Sequence, residues 1–200
     1  MTRSFFLNGF IASIFYLSLI VIVFISSGIL LASDLSDATE LRAKCETEFK
    51  TIEVPAKNFG NYYVKQNYKT ATDLLKEGKI KLAQSKYQDA IAIYNKYQQL
   101  QNDMYKELAK DYISRAETIY NDTAVELVDF IDNDKVSQYF RLANQNVVDA
   151  KKASTAGNYK LVIETCRTSK KYSFESYKAA GKAIPDKYKK DVKDNNKELE

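Results

Sequence analysis

Seventy-eight consecutive residues, Lys79 to Ala156, contain neither glycine nor proline. These two residues are the strongest local punctuators of secondary structure, so the stretch offers few obvious places to turn. Wound as one α-helix it would run about 117 Å, longer than a compact domain allows. Weaker signals must therefore supply the breaks. Three Asn-Asp pairs stand in the stretch, Asn102-Asp103, Asn121-Asp122 and Asn133-Asp134, and such side chains compete with the helical backbone for hydrogen bonds. Thr123-Ala-Val-Glu126 has capping-box spacing and predicts a helix start. If one of these breaks is false, a helix of about 40 residues or more follows. No segment alternates apolar and polar residues as a half-buried strand does. The chain reads as all-α.

The same signals place the remaining helices. Asp37-Ala-Thr-Glu40 has capping-box spacing and predicts the start of a helix whose apolar face is Leu41, Cys45, Phe49 and Ile52. Val54-Pro55 should end it, because the residue before proline disfavours the helical region. Asn58 to Asn61 reads as a connection, and a second helix is expected over 62–84 with Val64, Tyr68, Ala71, Leu75 and Leu82 inward. Gly157-Asn158 marks a tight turn before a helix through Val162, Cys166 and Ser169. A separate helix through Phe174 and Tyr177 is expected to reach Gly181. Pro185-Asp186 opens a short terminal helix, and Asn195 to Glu200 read as a frayed, charged end.

Ahead of all this lies an apolar run of 23 residues without a charge, Phe10 to Ala32. As a helix it spans about 34 Å, enough for a bilayer core of about 30 Å. Arg3 precedes it and Asp34, Asp37 and Glu40 follow, a distribution that keeps the N-terminus inside and exports residues 34–200. Two readings stay open: an uncleaved anchor, or a signal peptide cut near Ala32. The chain thus divides into 1–33, a signal or transmembrane segment, and 34–200, one all-α domain, periplasmic or anchored at the inner membrane.

Composition narrows the chemistry. There is no histidine, so the chain has no imidazole base, no His metal ligand and no Ser-His or Cys-His pair. No phosphate loop or nucleophile elbow is present, and no catalytic, cofactor or metal residues are assigned. The carboxylate pairs Asp132/Asp134 and Asp191/Asp194 lack EF-hand spacing and read as capping or solvated groups. Charge is uneven: residues 151–200 carry 13 Lys/Arg against 7 Asp/Glu, and 34–150 carry 16 against 19. The basic end reads as solvated helix surface, or as a docking face for an acidic partner or anionic surface. Nucleic acid is not expected as a partner outside the cytoplasm. Cys45 and Cys166 read either as buried thiols or as a disulfide formed in an oxidising compartment.

One segment is more patterned than the rest. Gly78, Ser85, Tyr87, Ala90 and Tyr94 place small residues and aromatics where two helices of a hairpin would meet, and the offsets return 72 positions later as Ala150, Gly157, Tyr159, Val162 and Cys166. This pattern resembles a tetratricopeptide repeat over the parts 70–101 and 142–172. The resemblance implies antiparallel helical hairpins with Gly78, Tyr87, Ala90, Tyr94, Gly157, Tyr159, Val162 and Cys166 in the packing. Glu77 and Lys81 depart from it, and prolines are missing at the repeat ends. Tyr172 to Gly181 and Ile184 to Asp191, with the export segment, also look like helical envelope proteins of spirochaetes, some of which coat the periplasmic flagellum.

The expected function is a non-enzymatic module for protein–protein interaction or scaffolding in the cell envelope, its partner a protein, with membrane contact through residues 10–32 if that segment is uncleaved. A structural subunit of an envelope assembly, such as a flagellar filament sheath, is the alternative. Tyrosine suits interfaces, so Tyr97, Tyr105 and Tyr112, with Tyr62 and Tyr63, are the candidate partner surface. Lys170, Lys171, Lys187, Lys189 and Lys190 are its basic candidates.

Overall fold

The computed structural model describes residues 33–200, and every regular element among them is helical. The apolar run at 10–32 lies outside the described residues. Among those described, no helix is long and apolar enough to cross a membrane. Helix α1 covers 33–59. It is followed by α2 (Tyr62–Ala83), α3 (Tyr87–Glu126), α4 (Asp134–Thr155), α5 (Tyr159–Ala179) and α6 (Lys189–Asn195). Short 3-10 turns at Val128–Phe130 and Asp186–Tyr188 precede α4 and α6.

The spine is α3, 40 residues without a break and about 60 Å long. Asn102-Asp103 and Asn121-Asp122, expected as breaks, lie inside it. The reason is tertiary. A buried stripe of Tyr94, Tyr97, Gln101, Met104, Leu108, Tyr112, Ala116, Ile119 and Thr123 crosses both pairs, while Asn102, Asp103 and Asn121 face solvent. An exposed Asn or Asp costs a helix about 0.7 kcal/mol, whereas burying one large apolar side chain returns about 1.5–3 kcal/mol. Thr123-Glu126 is correspondingly the last turn of α3 and not a start. The Thr123 hydroxyl donates back to the Ile119 carbonyl at 2.6 Å. Only the third pair acts as a break, with the Asn133 side chain accepting from the N–H groups of Lys135 and Val136.

Burial also overrides the signals in α1 and α5. Helix α1 is already formed at 33, so Asp37 is interior, and it continues through Pro55 to 59. A proline inside a helix costs about 3 kcal/mol. Burial of Ile52, Ala56 and Phe59 on the face shared with Cys45 outweighs it. The two helices expected after Gly157 are one, α5, because Val162, Cys166, Arg167, Lys170, Phe174 and Tyr177 form an unbroken buried stripe. The C-terminal residues expected to fray are docked. Asn58 Nδ2 donates to the Glu198 carbonyl at 2.9 Å, and the Glu200 N–H donates to Asn58 Oδ1 at 3.2 Å.

Helices α1 and α2 pack on the first half of α3. Cys45 meets the Tyr94 carbonyl, the Thr51 and Tyr105 hydroxyls lie 2.9 Å apart, and the Phe59 ring stands edge-on to Tyr112. Between α1 and α2, the rings of Phe49 and Tyr68 stack with centroids 4.8 Å apart. Helix α4 lies on α5, with the Ser169 hydroxyl donating to the Ala143 carbonyl at 2.9 Å. Helix α5 follows the second half of α3, where the Tyr177 hydroxyl donates to Glu126 at 2.8 Å.

Element bounds recur along the chain. Helices α2 and α4 both have 22 residues, with starts 72 apart and ends 72 apart, and α3 and α5 also start 72 apart. Asn61 and Asn133 cap α2 and α4 alike, accepting from the N–H groups of Val64 and Val136. The two following turns close alike. Lys86 N–H donates to the Lys81 carbonyl and Asn158 N–H to the Ala153 carbonyl, with Ser85 and Gly157 left-handed at φ 58° and 75°. The ion pair Glu46–Lys79 (3.0 Å) between α1 and α2 returns as Glu117–Lys151 (2.5 Å) between α3 and α4. Thus the second half of α3 stands to α4 as α1 stands to α2.

Candidate functional site

The densest chemistry lies where α6 crosses α3 and α5. Asp191 and Asp194 sit one turn apart on α6, and both are fully buried. Arg115 of α3 grips Asp191 with two hydrogen bonds, Nε to Oδ1 at 3.0 Å and Nη2 to Oδ2 at 2.6 Å. Arg167 of α5 grips Asp194 likewise, Nε to Oδ2 at 3.1 Å and Nη2 to Oδ1 at 2.9 Å. The Lys170 ammonium, itself fully buried, bridges the two carboxylates at 3.1 and 3.3 Å. The Tyr112 hydroxyl adds a hydrogen bond to Asp194 at 2.6 Å. Bidentate arginine–carboxylate pairing is the strong form of this contact because both partners are planar and charged.

Aromatic faces floor the cluster. The Arg115 guanidinium lies 4.1 Å from the Phe59 ring centre, and the Lys170 nitrogen lies 5.1 Å from Phe59 and 4.8 Å from Tyr112. Such faces attract cations that have lost water. Burial opposes ionisation of Asp194, but the hydrogen bonds from Arg167 and the charge of Lys170 outweigh it and hold the carboxyl below its ordinary value. Burial, with Asp194 alongside, pushes the Tyr112 phenol upward and keeps it a donor. At the rim, half-exposed Glu164 accepts from Arg167 at 3.0 Å, and Lys190 pairs with Glu200 at 3.0 Å. A surface cleft of about 300 Å³ opens beside the cluster, lined by Asp111, Ser114, Arg115, Lys187, Tyr188 and Asp191.

Several expected surface residues are placed inside. Tyr97 and Tyr112 are fully buried and Tyr105 nearly so, so none of the three can line a partner surface. They continue the buried stripe of α3. Lys170 is also fully buried and belongs to the ionic cluster, while its neighbour Lys171, about 100° round the helix, is exposed. Lys187 is exposed and pairs with Asp122 at 2.8 Å. Lys189 is exposed and Lys190 partly so. Tyr62 and Tyr63 are exposed. Asp191 and Asp194 are neither solvated nor capping groups but the anionic half of the cluster.

The residues expected in helix packing lie as follows. Gly78 is buried against Tyr94, and a Cβ on Gly78 would stand 2.5 Å from the Tyr94 ring. Ala90, Tyr94, Val162 and Cys166 are fully buried, and Tyr87 and Tyr159 are partly buried against the same core. Gly157 is exposed and serves the turn through its positive φ. Cys45 and Cys166 are free buried thiols and not a disulfide. Burial raises Cys45 to about 11 and Cys166 to about 12. Among the described residues no group of Cys, Asp and Glu has the geometry to hold a metal ion.

A second feature escaped the sequence reading. Val125 in the last turn of α3, and Val128 and Ile131 just beyond it, are 75%, 61% and 50% exposed. Exposed Asp129, Asp132 and Asp134 surround them in the chain. Of the nearby cations, Lys182 is held by the Glu126 carbonyl at 2.8 Å and lies over the Phe130 ring, and Lys135 is exposed. Compared with known protein families, curated proteins and solved structures, the chain matches none of them.

Proposed function

We propose that this chain is an exported, non-enzymatic module of helical hairpins that docks a protein partner in the cell envelope. The observation that carries the reading is the apolar tip of Val125, Val128 and Ile131 with its acidic surround. Clustered exposed apolar residues rimmed by polar ones mark interaction sites. The acidic rim selects the occupant, a basic segment with apolar residues on one face. Placement supports it. Asp34 lies beside Ser85 to Asp89, at the start of α3, whereas the tip lies at its end, about 60 Å along the helix. A segment at 10–32 retained in the membrane would leave the tip pointing away from its attachment. The recurrence at 72 positions supports a duplicated, tetratricopeptide-like unit, in which α3 serves as the last helix of one and the first of the next.

The test is a photo-cross-linker placed at Val128 of the full chain in intact cells, with Lys69 as an exposed control. An adduct mapped to a basic, apolar peptide, formed at 128 but not at 69 and lost in Val125→Asp, is expected. Adducts that are the same at both positions, or none at 128, refute the reading, as does turnover of a small molecule by the purified chain. The length of α3 favours a second reading, a structural subunit of an envelope assembly such as a filament sheath. Co-sedimentation with detergent-washed filaments would support that reading, and release with the membrane or soluble fraction supports docking.

A further inference from the structure

Beyond Tyr188 the C-terminus is held by charge. Tyr188 itself is an apolar anchor, buried with Ile119 and Phe174. In α6 only the carboxylates Asp191 and Asp194 are fully buried, and Val192 is only partly covered. The rest of the attachment is the pair of hydrogen bonds from the tail to Asn58, the rim pair Lys197–Glu164 and the Lys190 ammonium 5.6 Å from the Phe59 ring centre, while Lys190–Glu200 ties the tail to itself. A buried ion cluster of this kind adds little stability over an apolar contact of the same volume. It does permit release, because each half regains water when the two separate. The receiving side needs nothing from α6 to stay in place: Tyr112, Arg115, Arg167 and Lys170 project from α3 and α5, which pack on one another and on α4.

The recurrence gives this slot a counterpart. The pairs Glu46/Glu117 and Lys79/Lys151, with the helix starts, place Lys44 where Arg115 stands and Gln98 where Lys170 stands. Lys44 and Gln98 line one depression, and its other wall is Gly157 to Lys160, the turn and first residues of α5. In the first unit, therefore, this face lies against a further helix of the chain. In the second unit it receives seven-residue α6.

We propose that residues 189–200 form a releasable clasp. The slot beneath it, lined by Tyr112, Arg115, Arg167 and Lys170, is then a docking site for a partner helix bearing two carboxylates one turn apart, Asp/Glu-x-x-Asp/Glu. The chain's own Asp191-Val-Lys-Asp194 occupies the slot until it is displaced. This deepens the docking reading but uses a face separate from the tip, so either can fail alone.

The test uses the full chain in a mild non-ionic detergent and a fluorescein-labelled peptide of residues 186–200. Asp191→Asn/Asp194→Asn removes the clasp's charge and leaves the slot. The labelled peptide should bind this variant at least tenfold more tightly than it binds the unaltered chain, and a peptide with both aspartates replaced by asparagine should not bind. Equal or absent binding to a helical variant overturns the proposal. Should the variant not fold, amide exchange of the unaltered chain decides. Residues 189–200 should exchange at least tenfold faster than α5 and faster still in 1 M NaCl, and exchange at the α5 rate overturns a releasable clasp. A concentration-dependent dimer abolished by the double substitution would make a second copy the occupant and overturn the assignment to a partner helix.

Discussion

Asp194 and Lys170 touch each other, yet replacing them should have very different costs. The cluster sets buried Arg167 and Lys170, with partly exposed Arg115, against two buried carboxylates, Asp191 and Asp194. Asp194→Asn leaves buried Arg167 with only the half-exposed Glu164, and buried Lys170 sharing Asp191 with Arg115. Stranding buried charge in this way costs about 3–5 kcal/mol. Lys170→Met instead leaves two arginines on two carboxylates, each pair still bidentate. It loses two N–H···O contacts, and the methionine stem keeps its packing on Phe59 and Tyr112, so the net cost should be about 1–2 kcal/mol. In urea titrations followed by helical circular dichroism, a slope of about 2 kcal/mol per molar puts the Asp194→Asn midpoint about 2 M lower and that of Lys170→Met lower by about 1 M or less. A Lys170→Met variant as unstable as Asp194→Asn would refute the reasoning, because the balance of buried charge would then not be what matters.

Three further outcomes follow from the same geometry. The folded state holds the Asp194 carboxyl below its ordinary value. Its stabilisation is therefore present above about pH 4 and is lost as pH falls further, so stability curves of the native chain and Asp194→Asn should converge below about pH 4. With Cys45 at about 11, about one thiol in a thousand is ionised at pH 8, and with Cys166 at about 12 about tenfold fewer. Iodoacetamide should label neither thiol in the native state and both in guanidinium without reductant, as counted by intact mass. Gly78→Ala drives a Cβ to 2.5 Å from the fully buried Tyr94 ring. Overpacking of about 1–3 kcal/mol exceeds the helix-propensity gain of about 1 kcal/mol, so thermal stability should fall, and Tyr94→Leu in the same chain should recover most of it.

The all-α class was legible because glycine and proline are nearly missing and apolar residues recur at helical spacing. The turn at Gly157 and the helix over 62–83 were legible for local reasons, a left-handed glycine and an Asn cap. The continuity of α3 was not, because Asn102 and Asn121 carry the same local signal as Asn133. What separates them is whether a buried stripe continues past, and that is decided by neighbouring helices. Pro55 misled in the same way. The ionic cluster was hidden by residue type, since Lys170 and Lys171 read as one basic surface. Spacing could have separated them, because Arg167, Lys170 and Phe174 follow Ile163 on the same side of α5. Likewise Tyr97, Tyr105 and Tyr112 fall on the spacing of Met104 and Leu108. The offset of 72 was visible at Gly78/Ala150 and Tyr87/Tyr159. Comparing the chain with itself would have extended it to Asn61/Asn133, Val64/Val136 and Ala71/Ala143.

Helix α3 belongs to both halves of the molecule, so the halves have no joint. In proteins whose units are linked by loops, each unit can swing or open alone. Here any rotation of α1 and α2 against α4 and α5 must bend or twist an unbroken α-helix. The molecule therefore behaves as a strut: a load applied at Val128 is carried through the backbone hydrogen bonds of α3 to the end where Asp34 lies. A proline at solvent-exposed Asn102 touches no buried side chain, yet it would break the strut near its middle and leave the shared core and the tail's bonds to Asn58 as the remaining ties between the halves.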